Sequence, residues 1–437
     1  MKIAVVGCGF VGLANILALA SKGHEVLGVE NSPERFNRLA AWRSPVHEPM
    51  FDQLLEQARD NELAGSISFA NSTDIFANQE FDMVFITVST LHQNNTLTEA
   101  KVSEVLQEVV SFYGSRNRAP MVVMKGTNPL GTAESVIKRY KLSPDFKLIV
   151  APEFLREGHA FDDVMTPSRH VIGTSDSLVD EKFKKVIDDF PAEQFWMSHA
   201  QAEYVKTSCN SLLAAQIALT QEIIRGADRL HIESDSIMNA IKADPRLNGY
   251  GRNAAIGWGG SCLPPSSLEM RKHSTSDSLL HYVSSSLTAN IAHWATKLGN
   301  HLSSEVSSIG VWGLGFKEGS MNTSNSPVIA LLNHIVARHA VSSIKAYVPG
   351  YKGSVENVRI SNIAEAKLVD DPTEAIRDVS LIILGCPDKE FREYDPVMAK
   401  LIASNAFVFD GFNDLNQASW EGAGFIYMGL GRETYRK

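Results

Sequence analysis

The sequence predicts an α/β protein with two doubly wound domains joined by a long central helix. Three observations carry that prediction. A strand, a glycine turn and a helix open the chain over residues 2–21. A second strand with its own glycine turn begins near Ser308. Between them runs Ala202 to Leu230, free of proline, with apolar residues recurring at helical spacing.

Lys2-Ile3-Ala4-Val5-Val6 is a short apolar run that reads as a buried strand. Gly7-Cys8-Gly9-Phe10-Val11-Gly12 follows at once, and Leu13 to Ser21 has the Ala/Leu content of a helix. A dinucleotide pyrophosphate needs this order. The first glycine makes the tight turn, the second lets backbone approach phosphate, and the third lets helix pack on strand. The domain is therefore expected to be Rossmann-like. Gly23 to Glu30 reads as the next strand, ending in an acid 18 residues past Gly12. A carboxylate there accepts hydrogen bonds from both adenosine ribose hydroxyls and repels a 2′-phosphate, which favours NAD over NADP. Arg35 argues the other way, because a nearby guanidinium tolerates a phosphate.

Three more apolar runs end in polar residues. Asp82 to Val88 leads to Ser89 and Thr90, Pro120 to Met124 to Lys125-Gly126-Thr127, and Phe146 to Val150 to Ala151-Pro152-Glu153. Ligands of open α/β sheets bind beyond the carboxyl ends of strands, so Thr127 and Glu153 are expected near cofactor and substrate. On the long helix, Glu203, Lys206 and Asn210 share one face. A solvated stripe is the plain reading, but the segment is apolar enough to favour a site. The second α/β unit opens with Ile309 to Gly315, continues with a helix from Pro327 to Arg338, and has strands at Ser343–Val348, Val379–Gly385 and Ala406–Asp410. The expected division is 1–195, a helical 196–300, and 301–437.

Gly257-Trp258-Gly259-Gly260-Ser261-Cys262-Leu263-Pro264 sets a thiol among small residues. It reads either as a glycine turn with a buried cysteine or as a nucleophile open to a bulky electrophile. With the nucleotide-binding opening, the second reading implies an oxidoreductase that holds its substrate as a thioester. Trp258 reads equally as a stacking platform or as packing.

The net charge of −9 and the lack of a basic run argue against a nucleic-acid partner. The first residues already read as a strand, so no cleavable leader is expected, and no apolar stretch reaches the ~20 residues of a membrane span. Cys8, Cys209, Cys262 and Cys386 lie far apart, and the histidines show no ligand spacing, so neither disulfides nor a metal is expected. The cytoplasm is the expected location.

With these pieces in order, the chain resembles the UDP-glucose/GDP-mannose 6-dehydrogenase family. The landmarks are GCGFVGL at 7–13, SPVHEP at 44–49, KGTNPLGT at 125–132, APEFLREG at 151–158, AEYVKTSCN at 202–210, GWGGSCLP at 257–264, GLGFK at 313–317 and YMGLGR at 427–432. The resemblance implies an NAD-binding Rossmann domain, a central helix that builds a homodimer, and a second Rossmann-like domain for a nucleotide sugar. It also implies a four-electron oxidation of a sugar C6 alcohol to a carboxylate, using two NAD. By position, Cys262 would attack the aldehyde, giving a thiohemiacetal and then a thioester that water cleaves. Lys206 would face the developing oxyanion, Asn210 would orient water or the C6 oxygen, and Glu153 with Thr127 would hold a proton-relaying water. Glu157, Thr90, Phe10 and Val11 fall on cofactor positions. Phe154, Leu155, Arg156, Gly259, Phe316 and Lys317 fall on the substrate side, and Arg246 or Arg252 reads equally as an exposed surface residue or as one reaching a neighbouring subunit's sugar or phosphate.

Four departures stand out. Pro265-Ser266 replaces the family Lys-Asp, whose aspartate activates the hydrolytic water, so Ser266 inherits a base's position without a base's chemistry. Ser324 stands where an NAD-binding arginine is expected, within Gly319 to Pro327. Leu91 replaces a proline, and Phe412 replaces an arginine. Three functions follow: full oxidation, a divergent enzyme that stalls or takes an atypical nucleotide sugar, and a non-catalytic nucleotide-sugar-binding partner. NADH yield separates them at two, about one, or none per sugar.

Overall fold

The computed structural model describes the chain except residues 61–65, 93–94, 114–118, 144–145, 248–250, 252, 303–307, 319–321, 351–356, 361–363 and 433–437. It divides into two compact units, Met1–Cys209 and Asn210–Lys437.

The first unit holds β1 (Lys2–Val6), β2 (Glu25–Val29), β3 (Ile67–Ala70), β4 (Met83–Ile86), β5 (Met121–Met124), β6 (Leu148–Val150), β7 (Arg169–Thr174) and β8 (Glu193–Ser198). They form one sheet in the order β3-β2-β1-β4-β5-β6-β7-β8. Pairing is parallel except where β6 meets β7. The first six strands thus take the 3-2-1-4-5-6 order of a dinucleotide-binding sheet. Alternation along β1 divides the core: Ile3 and Val5 join one apolar cluster, Ala4 and Val6 another. Both faces of the sheet are covered, as a parallel sheet requires.

The second unit holds β9 (Ser308–Trp312), β10 (Ser343–Tyr347), β11 (Asn357–Arg359), β12 (Glu365–Val369), β13 (Leu381–Leu384), β14 (Phe407–Asp410) and β15 (Ile426–Gly429). Their order is β11-β12-β10-β9-β13-β14-β15, parallel except for β11 against β12. Without β11 the 3-2-1-4-5-6 order recurs. The two doubly wound sheets agree with the expected fold class.

The central helix runs His199–Arg229, three residues earlier than the apolar pattern marks, and the unit boundary falls within it. Strands end sooner than their apolar runs: β4 stops at Ile86 and β13 at Leu384. β3, β7, β8, β11, β12 and β15 were not foreseen. Strands β7 and β8 are six residues long, and β8 alternates exposed and half-buried positions, which gives a weak apolar signal.

Candidate active site

In the first unit, β1 runs into a turn that only glycine can make. Gly7 has φ +94, and a Cβ on Gly12 would lie 1.9 Å from the Gly7 carbonyl oxygen. Thr87, which the sequence reading passed over, locks this turn by donating to the Val6 and Gly7 carbonyls at 2.9 and 2.7 Å. The helix Phe10–Ser21 starts at Gly9 with no side-chain cap. Its first helical bond runs from the Leu13 N–H to Gly9, so the N–H groups of Phe10, Val11 and Gly12 point past the helix end. Such an end accepts an anion.

Glu30, buried just after β2, accepts from the Cys8 and Ser32 N–H groups at 3.2 and 3.1 Å. Arg35 sets its Nε 3.8 Å from that carboxylate, and this buried nitrogen has no hydrogen-bond partner. Its Nη2 lies 3.4 Å from where a Gly9 Cβ would be. A cradle too tight for a side chain, an open helix start and the unpartnered Arg35 Nε fit the cofactor's pyrophosphate and ribose.

Thr90 donates to the Thr127 carbonyl at 2.5 Å, tying the ends of β4 and β5 together. Leu91 makes a bridge with Leu97 instead of a proline turn. Past β6, Glu153 and Lys206 form a buried ion pair at 3.5 Å, their side chains 10% and 6% exposed. The Glu153 carboxylate also accepts from the Leu155 N–H at 2.5 Å. The Phe154 ring carries the Lys206 ammonium 5.0 Å from its centroid and the Arg169 guanidinium at 4.0 Å. Neither Arg169 nor Lys125 stood out in the sequence. Burial pushes the Lys125 ammonium down to about 8, against the pull of Glu153. Arg156 is exposed and turned to Asp163 at 2.7 Å, while Glu157 is half-buried in the same loop.

In the second unit, Cys262 is exposed and stands at the N-cap of the helix Leu263–Lys272. The buried-cysteine alternative falls, because the thiol meets solvent at the positive end of the helix dipole. The Ser261 hydroxyl lies 3.8 Å from its sulfur. One turn on, Ser266 is fully buried, and its hydroxyl accepts from the Asn210 amide at 2.9 Å. The glycines before the cysteine are packed tightly: a Cβ on Gly259 would meet the Asn325 carbonyl at 2.4 Å, and one on Gly260 the Phe316 ring at 2.7 Å. Gly260 donates to the Ser324 carbonyl at 2.9 Å, so Ser324 serves this loop through its backbone. Phe316 and Lys317 are half-buried.

Trp258 is 4% exposed and packs with Ala214, Ala218 and Val283, so it is a packing residue and no platform for a sugar. Arg246 is exposed and turned to Asp244. Arg252 lies outside the described residues, as do Gly319, Ser320 and Met321. Phe412 packs on the core of the second unit. The helical stripe is buried, with Glu203, Lys206 and Asn210 at 3%, 5% and 5% exposure, so the solvated reading is excluded. Among the described residues, no helix is long and apolar enough to cross a membrane.

Comparison with known proteins bears on both units. Residues 1–190 match the NAD binding domain of the UDP-glucose/GDP-mannose dehydrogenase family, 200–291 its central domain and 310–417 its UDP binding domain. The UDP-glucose 6-dehydrogenase of Pseudomonas aeruginosa is 28% identical, covering 99% of this chain and 98% of that protein. The GDP-mannose 6-dehydrogenase of the same organism is 26% identical over 90% of this chain and 92% of its own length. A UDP-glucose dehydrogenase structure from Pyrobaculum islandicum superposes with a TM-score of 0.81 at 25% identity, covering 99% of this chain and 98% of its own. The UDP-D-ManNAc dehydrogenase of Pyrococcus horikoshii shares the fold, with a TM-score of 0.82 at 21% identity over 99% of both chains. The cradle after β1, the two 3-2-1-4-5-6 sheets and the three matching domains lead to one conclusion: this chain belongs to the UDP-glucose/GDP-mannose dehydrogenase family, NAD-dependent oxidoreductases of nucleotide sugars.

Proposed function

We propose that the chain oxidises the C6 alcohol of a nucleotide sugar to the carboxylate through a covalent intermediate on Cys262. NAD, held by the turn at Gly7, Gly9 and Gly12 with Phe10, Val11, Glu30, Arg35, Thr90, Thr127 and Glu157, supplies the electron acceptor for each of two oxidations. The buried Lys206–Glu153 pair takes the alcohol proton and keeps a cation facing the C6 oxygen as charge develops there. The Cys262 thiolate then adds to the aldehyde carbon, and the resulting alkoxide is protonated to a thiohemiacetal. Its oxidation gives a thioester, which water cleaves to the carboxylate and the thiol. Phe154, Leu155, Arg156, Gly259, Phe316, Lys317 and Arg252 are assigned to the substrate.

The observation that carries this reading is the exposed Cys262 at a helix start, one turn before the buried Asn210–Ser266 pair. The same pair favours a second reading for the last step. Serine is a far poorer base than carboxylate, and losing a general base typically slows a step by about 10²–10⁴. Hydrolysis is then slow, and acyl-enzyme accumulates.

A UDP-sugar is the first substrate to test, because the UDP-binding domain model matches residues 310–417. We assign cofactor binding to 1–195, the central helical region to 196–300 and nucleotide-sugar binding to 301–437. Leu212 and Leu219 support a homodimer through the central helix, being 66% and 58% exposed at a spacing of two turns. The cytoplasm suits an enzyme that needs a reduced thiol. The deciding assay incubates the protein and its Cys262→Ala variant with NAD and UDP-glucose, UDP-N-acetyl sugars or GDP-mannose. Two NADH per sugar, lost in the variant, supports full oxidation. One or two NADH per protein with a mass adduct on Cys262 supports the stalled enzyme. NAD binding with no turnover on any sugar would sink the catalytic reading.

A further inference from the structure

Two loops at the carboxyl ends of β5 and β6 are each held by a glutamate from a distant part of the first unit. Glu203, on the central helix, accepts from the Gly131 N–H at 2.7 Å and from the Ala133 N–H at 2.8 Å. Glu48 accepts from the Gly158 and Ala160 N–H groups at 2.9 and 2.8 Å. Both carboxylates are buried. The helix Thr132–Tyr140 begins at Gly131, whose φ is +86 and which has no side chain to cap the helix. Glu203 supplies that cap from 70 residues away.

The capped loop carries Thr127, and Lys206 lies one turn beyond Glu203 on the same helix. We propose that Glu203 is a positioning residue that fastens the Thr127 loop to the helix bearing Lys206. This rests on the assignment of Thr127 to the cofactor site. A carboxylate meets two N–H donors with two acceptor oxygens, whereas its protonated form has one carbonyl oxygen and a hydroxyl donor. The ionised group therefore makes the stronger bonds on both sides, while burial penalises its charge. Burial pushes the Glu203 carboxyl up to about 7, against backbone bonds from Ala133, Gly131 and Thr132 that pull it down. The charged group acting on it is Glu134 on the capped helix, which pushes the same way. The closed, buried cap thus holds its proton better than an open, solvated one, and it loosens as pH rises through about 7.

The test measures hydrogen exchange by mass spectrometry and NAD affinity across pH 5.5–8.5, on the full-length protein and four variants. In Glu203→Gln, peptides spanning 126–135 should exchange about tenfold faster while 158–165 stays unchanged; Glu48→Gln should do the reverse. Wild-type NAD affinity should fall several-fold as pH rises through about 7, stay flat in Glu203→Gln, and regain its pH dependence in Glu203→Asp. Wild-type exchange at 126–135 in Glu203→Gln, or faster exchange spread evenly over residues 1–209, overturns the proposal. Thr127→Ala separates the two readings. Unchanged NAD affinity in that variant removes the assignment of Thr127, while the exchange data still judge the cap.

Discussion

The two sheets share one strand order, yet their glycine turns are different chemical objects. After β1, the helix starts at Phe10 within three residues of Gly7 and has no side-chain cap, and Glu30 and Arg35 stand beside it. After β9, Gly313 also has a positive φ of +82, but a Cβ there would lie 2.4 Å from the Cys386 Cβ. Among the described residues, the next helix begins at Pro327, where the Ser326 hydroxyl accepts from the Ile329 N–H. The surroundings of Cys386 are acidic: after burial, Asp388, Glu318 and Asp414 push its thiol upward. A doubly wound sheet and a glycine therefore do not make a pyrophosphate site. An anion needs a helix start that is close and uncapped, with a cation such as Arg35 at hand.

Substitutions at the two turns test this contrast most strongly. Gly12→Ala places a methyl where only 1.9 Å is open, and should weaken NAD binding at least about 100-fold by calorimetric titration. Gly313→Ala should lower the melting temperature of the protein yet leave NAD affinity within about twofold. Equal losses of NAD affinity in both variants would erase the distinction.

Glu30→Ala removes the carboxylate that holds the Cys8 and Ser32 N–H groups and leaves Arg35 unopposed. NAD affinity should fall about 10–100-fold, and the preference over NADP should shrink. An unchanged preference, read from parallel titrations, would move ribose recognition elsewhere.

Buried carboxylates set the pH response of both units. Glu203 in the first is raised from an ordinary 4.5 to about 7, and Asp410 in the second is raised by complete burial. Each folded state holds its proton better than the unfolded chain. Their contribution is thus full below the unfolded value and is lost as pH rises through the folded one. Between pH 5 and 8, wild type should lose up to about 3 kcal/mol relative to Glu203→Gln in urea unfolding. A difference that grows with pH would have the wrong sign.

The smallest perturbation is chemical. Brief treatment with iodoacetamide at pH 8 should add one mass increment at Cys262, sparing Cys8 and Cys386, whose thiols burial pushes upward. Early labelling of Cys386 would show that the second turn is open.

The glycine turn was legible because its constraint is local. Gly7, Gly9 and Gly12 sit next to the strand and helix they join, and Glu30 lies one strand away. Cys262 and the Glu203, Lys206 and Asn210 stripe were legible by residue type and helical spacing. The edge strands were not: β8 shows one half-buried face, and β11 pairs through three residues. The sequence by itself also left open whether Cys262 is buried, whether Trp258 stacks or packs, and whether the stripe meets water.

Local periodicity and turn chemistry thus determined the two Rossmann-like sheets and the cofactor, and the eight motifs carried the family resemblance. Only the tertiary structure decided the partners. Glu203 finds the 131–133 backbone, Glu48 finds 158–160, Ser266 receives the Asn210 amide, and Arg169 covers Phe154. The reason is physical. A backbone pattern repeats every few residues and can be read along the chain, whereas a buried carboxylate is satisfied by whichever N–H groups folding brings to it.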